Sequence, residues 1–169
     1  MQFSNLSFRL AQTVDLKDIN SIYNQSVPSR CSVADLDEWD MSRRKIWFDH
    51  HHPKDYPIYV CLLKDEIIGW FSFSAYRPQK RALAQVAEVS YFIKSDFHGQ
   101  KLGTHMMEFI LQIAPSHNKK HLIAILLDKN AASIKLLTKF NFKEWGRMPS
   151  ILNFEGEICD HLYYGLSLD

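Results

Sequence analysis

Apolar positions along this chain alternate in some stretches and recur every three to four residues in others, and the two periods separate strands from helices. Ser7 to Leu10 reads as a short first strand. Asp15 to Gln25 reads as a helix with Leu16, Ile19 and Tyr23 on one face and Thr13 or Asp15 as its cap. Val27 to Asp37 reads as a loop and Met41 to His51 as a second helix. Ile58 to Leu63 and Ile67 to Ala75 form a hairpin across the polar turn Lys64, Asp65 and Glu66. Ala84 to Lys94 is the next strand, and His121 to Leu127 is so uniformly apolar that it predicts a central strand covered on both faces. A helix follows from Asn130, and two strands close the chain near Glu144 to Pro149 and Ile158 to Leu166. Strands paired first as hairpins and later joined through a helix predict a mixed α/β (α+β) fold, with one sheet flanked by helices on both sides.

The segment from Glu88 to Met107 carries the densest chemical signal. It reads as a strand, a tight turn and an amphipathic helix running from about Gln100 to Ile113, with Leu102, Met106, Phe109, Ile110 and Ile113 at helical spacing. Gly99 and Gly103 bracket the helix start, where unpaired N–H groups and the positive end of the helix dipole can hold an anion. Glu88 lies on the strand leading into that turn. An anion cradle beside a carboxylate points to an enzyme that holds a phosphorylated cofactor and removes a proton. A strand–turn–helix unit with no ligand remains the alternative for this window taken alone.

Composition narrows the class. With 169 residues the chain reads as one domain, and 46% hydrophobic and 23% charged residues are ordinary for a globular protein. A net charge of +1 gives no electrostatic case for nucleic acid or an anionic membrane. No run approaches the roughly 20 apolar residues of a membrane span. The first residues, Met1 to Ser7, lack the basic start and apolar run of a signal peptide. Cys31, Cys61 and Cys159 are odd in number and widely spaced, and Cys61 sits in an apolar strand, so they read as reduced thiols of a cytoplasmic protein. His50, His51 and His52 are adjacent at a helix end, where three rings cannot all face one ion, and no metal is expected. Histidines there also suit the negative end of the helix dipole.

Three stretches resemble the GNAT acetyltransferases. His98, Gly99, Gln100, Lys101, Leu102 and Gly103 occupy the six places of the family's acetyl-CoA signature, Arg/Gln-x-x-Gly-x-Gly/Ala. The last glycine matches, His98 stands for Arg or Gln, and Lys101 stands for Gly. Asp128 to Phe142 resembles the second signature, Asn-x-x-Ser/Ala-x-x-Leu-(Tyr)-x-x-x-Gly-Phe, with Leu137 at the Tyr place. Ser32 to Asp37, Arg44 to His51, Tyr56 to Val60 and Tyr76-Arg77-Pro78 resemble the phosphinothricin-acetyltransferase branch, whose Glu-x-Ser-Val-Tyr-Val strand aligns with Glu88 to Ile93. The resemblance runs in order from Phe8 to Leu168.

The resemblance implies a single GNAT domain over residues 1–169, a central, mostly antiparallel sheet of six to seven strands with about four helices, and a homodimer. It implies transfer of the acetyl group of acetyl-CoA to a primary amine of a small molecule, such as phosphinothricin or methionine sulfoximine. A peptide or protein amine, or non-catalytic binding of acyl-CoA, stands as the alternative. Gly99, Gln100, Lys101, Leu102, Gly103 and Thr104 would hold the pyrophosphate, and Lys101 would reach a CoA phosphate with its charge. Tyr91, Phe92 and Ile93 would pair with the pantetheine amides as a further strand would, and Ser133 would meet the cofactor from the second helix together with Asn130, which reads first as a helix cap and in addition as a cofactor contact. Glu88 would be the general base, which requires its pKa to rise from about 4.3 or a water to relay the proton. Leu137 cannot protonate a thiolate, so the family's usual acid is missing; either another group such as Tyr91 serves or the thiolate leaves unassisted, and no general acid is assigned. Arg77 and Arg81, with Tyr76, follow a strand where they could clamp a substrate carboxylate or simply face solvent. The aromatic residues Trp47, Phe48, Trp70, Phe71 and Phe73 read mostly as core, with one or two lining a pocket.

Overall fold

The computed structural model describes residues 5–168. Seven strands form one sheet in the order β1-β2-β3-β4-β5-β7-β6. They are β1 (Leu6–Leu10), β2 (Ile58–Leu63), β3 (Glu66–Ala75), β4 (Val86–Ile93), β5 (His121–Leu127), β6 (Lys143–Phe154) and β7 (Glu157–Ser167). Every neighbouring pair is antiparallel except β4 and β5, which are parallel. The helices are α1 (Leu16–Asn24), α2 (Met41–Asp49), α3 (Leu102–Ile113) and α4 (Ala131–Lys139). Only the β4–α3–β5 crossover joins parallel neighbours, as that geometry requires.

Two cores sit on opposite faces. Leu102, Met106, Met107 and Ile110 of α3 and Leu137 of α4 pack with Phe71, Phe73, Ala87, Val89, Leu122 and Leu126. On the other face Ile19, Ile22 and Tyr23 of α1 pack with Ile58, Val60 and Trp70. Strand alternation therefore sends Ala87, Val89, Tyr91 and Ile93 of β4 toward α3 and α4, and Glu88, Ser90 and Phe92 toward α1 and α2. Helix α2 lacks a broad apolar stripe and is held by an arginine instead. Arg44 is 1% exposed, with its guanidinium over Trp39, Tyr23 and Trp47 at 4.2, 4.4 and 4.6 Å and Nε donating to Asn20 Oδ1 at 3.1 Å. Burial pushes its pKa down to about 10, which leaves it charged at neutral pH.

Several element boundaries differ from the sequence reading. Helix α3 begins at Leu102 rather than near Gln100, because Lys101 takes a left-handed conformation, φ 67°. The hairpin turn is Lys64 and Asp65 alone, with Lys64 left-handed at φ 58°, and Glu66 already belongs to β3. Strand β6 continues past Pro149 to Phe154 because register shifts between Met148 and Leu152 absorb the interruption. Asp15 does not open α1 with a side-chain cap; its carboxylate accepts from Gln12 N–H at 2.7 Å and from Arg9. Trp70, Phe71 and Phe73 are fully buried, whereas Trp47 and Phe48 are half-buried.

Candidate active site

The parallel pair β4–β5 is where the sheet opens. Its pairing covers only Val86↔His121, Ala87↔Leu122 and Glu88↔Ile123, although β4 continues to Ile93 and β5 to Leu127. Lys94 N–H donates to Ile68 O at 2.9 Å, and this fixes which peptides face which neighbour. In an antiparallel ladder hydrogen-bonded and non-bonded pairs alternate. With Gly69 opposite Ile93, the peptides of Phe92, Ser90 and Glu88 therefore face β3, and those of Val89, Tyr91 and Ile93 face the opening. The expectation that Tyr91, Phe92 and Ile93 all offer backbone to a cofactor is thus corrected for Phe92. Its peptide pairs across to Trp70, and its ring stacks on Trp70 at 4.7 Å.

Glu88 stands where the two strands part. Its carboxylate has no hydrogen bond or ion pair among the described residues, and half-burial without a partner raises its pKa above the ordinary carboxylate value. From Glu88 to Ile93 the open edge is roughly 16 Å long. Tyr91 points to the opposite face, where its hydroxyl is buried without a partner at hydrogen-bond geometry. Its approach to Ser133 on α4 falls short of such a bond, and burial pushes its pKa up to about 12. Leu137 is 1% exposed in the α3/α4 core and far too apolar to exchange a proton.

The far end of the open edge meets the turn into α3. His98 Nε2 donates to the Ile93 carbonyl at 2.9 Å and ties the turn to the strand end, a contact the sequence reading did not anticipate. Gly99 has φ 73° with no atom within 4 Å of a would-be Cβ, so backbone conformation alone demands glycine there. Gln100 Nε2 donates to Asp96 O at 2.7 Å and closes the loop. Thr104 and His105 N–H donate to Lys101 O at 3.0 and 3.4 Å, so the amides of Leu102 and Gly103 precede the helix's own bonding. Lys101 is exposed, and Thr104 Oγ1 accepts from Lys139 Nζ at 3.2 Å. Packing alone already crowds a side chain at Gly103, where a Cβ would lie 3.0 Å from Leu136 Cδ2 and 3.5 Å from Ile93 Cδ1. On α4, the Asn130 side chain caps the helix by accepting from Ser133 N–H at 3.1 Å.

The remaining expected residues are less convergent. Tyr76, Arg77 and Arg81 lie in the connection after β3, just beyond the Ala75↔Ala87 pair. Arg77 and Arg81 are exposed, and neither ion-pairs with Glu88; Arg77 rests over the Tyr76 ring at 5.6 Å. The triple histidine is dispersed: His50 and His51 turn Nδ1 back to the Ile46 and Trp47 carbonyls at 2.7 and 2.8 Å. No group of three or more His, Cys, Asp or Glu among the described residues could hold a metal ion.

An open strand edge beside a partnerless carboxylate, ending at an uncapped helix, suits an extended phosphorylated cofactor and the removal of a proton from an acyl acceptor. The chain belongs to the acetyltransferase (GNAT) family, whose model matches residues 16–142, and is an acetyl-CoA-dependent N-acetyltransferase. It is 33% identical over 168 residues to YwnH of Bacillus subtilis (strain 168), a protein named provisionally as a phosphinothricin acetyltransferase, covering 96% of this chain and 99% of that one. It is 24% identical to the L-methionine sulfoximine/L-methionine sulfone acetyltransferase of Salmonella typhimurium, over 97% of this chain and 95% of that protein. The fold is shared with yncA of Salmonella typhimurium, solved with its cofactor acetyl-CoA, at a TM-score of 0.88 and 24% identity over 97% of this chain and 94% of that chain.

Proposed function

We propose that this enzyme acetylates the primary amine of a small amino-acid analogue, such as methionine sulfoximine or phosphinothricin, by direct attack in a ternary complex. The observation that carries the reading is the parting of β4 from β5 at Glu88. The pantetheine arm would lie along the peptides of Val89, Tyr91 and Ile93, entering from the α3/α4 face. Its pyrophosphate would sit on the amides of Leu102 and Gly103, within the turn Gly99 to Thr104, with Lys101 beside it. The amine would approach from the α1/α2 face, where Glu88 removes its proton. The amine nitrogen then attacks the thioester carbonyl, whose oxygen is stabilised by a β4 N–H at the opening. Tyr91, with its buried and partnerless hydroxyl, is the proton donor offered to the departing thiolate. Arg77 and Arg81 would hold a substrate carboxylate. The names of relatives acting on methionine sulfoximine and phosphinothricin support that substrate class.

A homodimer in the cytoplasm belongs to the same proposal. Exposed Trp145 and Ile151 on the edge strand β6 and the free thiols Cys31, Cys61 and Cys159 support it, and sedimentation velocity checks the dimer.

The deciding experiment is a free-thiol release assay with acetyl-CoA over methionine sulfoximine, phosphinothricin, other amino acids, polyamines and short peptides. The expected result is turnover of the sulfoximine or phosphinothricin, and preferential turnover of peptides would replace the substrate assignment. Glu88→Gln should lower the maximal rate by roughly 10²- to 10⁴-fold with acetyl-CoA affinity little changed. Because burial raises the Glu88 pKa, wild-type activity should fall with acidification at a pH above the ordinary carboxylate range. A fully active Gln variant at neutral pH removes Glu88 from the mechanism.

A further inference from the structure

Behind Glu88 lies a hydrogen-bonded chain whose direction is fixed at one end. His51, just past the end of α2, has Nδ1 2.8 Å from the Trp47 carbonyl and Nε2 3.1 Å from Ser74 Oγ. A carbonyl oxygen can only accept, so Nδ1 carries the ring proton. Nε2 of the neutral ring is then an acceptor, and the Ser74 hydroxyl must be the donor. Ser74 on β3 stands directly opposite Glu88 on β4, in a hydrogen-bonded pair on the α1/α2 face. With its one proton committed to His51, Ser74 presents only lone pairs to the space beside Glu88.

We propose that His51 fixes Ser74 as an acceptor-only group, so that Ser74 and Glu88 together bind the ammonium form of the substrate at the β4–β5 opening. The inference rests on the reading of Glu88 as the base. One ammonium N–H is donated to Ser74 Oγ and another to the Glu88 carboxylate. Glu88 then takes its proton: an N–H bond breaks, an O–H bond forms on Glu88, and the nitrogen keeps the electron pair that attacks the thioester. As the C–S bond breaks, the adduct nitrogen loses its second proton, which balances the one the departing thiolate takes up. Ser74 neither gains nor loses a proton. His51 is a positioning residue acting through Ser74.

The arrangement carries its own pH dependence. A protonated His51 would donate from Nε2 to Ser74 Oγ, turning the serine proton outward against the ammonium. Burial holds the His51 pKa below its ordinary value and the Arg44 charge acts in the same direction, while the hydrogen bond to the Trp47 carbonyl opposes them without reversing the shift. Asp49 borders with His51 a cavity of about 190 Å³ and is paired with Lys45. The other walls there, Leu10, Ala11, Phe48, Pro53 and Ile58, are uncharged, as is Ser74 from β3. At neutral pH the ring is therefore neutral and the serine proton points to it. Below that range the amine site should close.

Two measurements test this. Long-range ¹H–¹⁵N correlation spectra of the whole protein, with the His51 signals identified by their loss in His51→Gln, should show a neutral Nδ1–H ring at neutral pH. An Nε2–H or doubly protonated ring overturns the proposal without reference to any substrate. With L-methionine sulfoximine as the amine, Ser74→Ala should raise the amine KM by about tenfold or more and leave the acetyl-CoA KM unchanged, and Ser74→Thr, which keeps the hydroxyl, should restore it. The acidic limb of kcat/KM should be steeper in the wild type, where Glu88 and His51 both titrate, than in Ser74→Ala, where only Glu88 remains. An unchanged amine KM with an unchanged limb in Ser74→Ala overturns the inference. A fully active Glu88→Gln instead overturns the base assignment on which it stands.

Discussion

Helices α3 and α4 both follow a strand and both start with a family-like signature, but their N-termini are finished in opposite ways. At α4 the Asn130 side chain reaches forward and takes the Ser133 N–H at 3.1 Å. At α3 no side chain does this: Lys101 enters with φ 67° and ψ 8°, and its carbonyl collects the Thr104 and His105 amides, leaving those of Leu102 and Gly103 ahead of it. A capped terminus has spent its strongest donor on the protein, whereas an uncapped one keeps donors and dipole for an anion. The contrast supports the proposed seat of the phosphate at α3 and gives α4 the part of a wall in that proposal. Two windows with similar residue types thus end in opposite hydrogen-bonding states, one satisfied by its own side chain and one left open.

The most damaging way to break the comparison is to crowd the open end. Gly103→Val should abolish measurable acetyl-CoA binding and also destabilise the fold by about 1–3 kcal/mol, because its Cβ meets Leu136 Cδ2 at 3.0 Å. Adding Leu136→Ala makes room and should recover part of the melting temperature. Calorimetry on the double variant then separates the roles. Affinity that stays lost supports backbone approach by the pyrophosphate, and affinity that returns with stability reduces Gly103 to a packing residue.

Next in size is the closed end. Asn130→Ala should cost about 1 kcal/mol of stability, as the loss of a side-chain cap does, while acetyl-CoA affinity stays within about twofold. Thermal melts and titration with acetyl-CoA measure the two. A tenfold weaker affinity would give Asn130 the cofactor contact that its alternative reading assigns it, and α4 would cease to be a passive wall.

Much of this was legible beforehand, for physical reasons that differ by element. The unbroken apolar run His121 to Leu127 matched β5 to the residue because a strand covered on both faces leaves one pattern only. The cap at Asn130 was legible because the capping group and its target are three residues apart. The opening between β4 and β5 was not, since it is a failure of pairing between strands whose sequences are both sound. Nor was the peptide parity that turns Phe92 away from it, which depends on Gly69 lying opposite Ile93. His51 and Ser74 are separated by 23 residues and meet only through the packing of α2 on β3. The signal available for His51 is its place in the Arg44 to His51 motif, whereas the run of three histidines reads only as rings suited to the negative end of a helix dipole.

The smallest expected effect isolates Lys101, where conformation and charge are entangled. A non-glycine residue in the left-handed region costs on the order of 1 kcal/mol, and the family favours glycine at this place. The side chain is exposed and forms no ion pair among the described residues, so its charge offsets none of that strain within the protein. Its compensation would come from a phosphate of the bound cofactor. Lys101→Ala removes the charge and keeps the strain, whereas Lys101→Gly removes both at the expense of a more flexible unfolded chain. Both variants should bind acetyl-CoA a few-fold more weakly and lose part of the salt sensitivity of binding, since an exposed charge pair contributes about 0.2–1 kcal/mol and is screened. Only the Gly variant should match or exceed wild type in thermal stability. If the partner is the 3′-phosphate, both should bind dephospho-CoA almost as wild type does. Wild-type affinity and salt dependence in the Ala variant would leave the amides of Leu102 and Gly103 as the whole of the cradle.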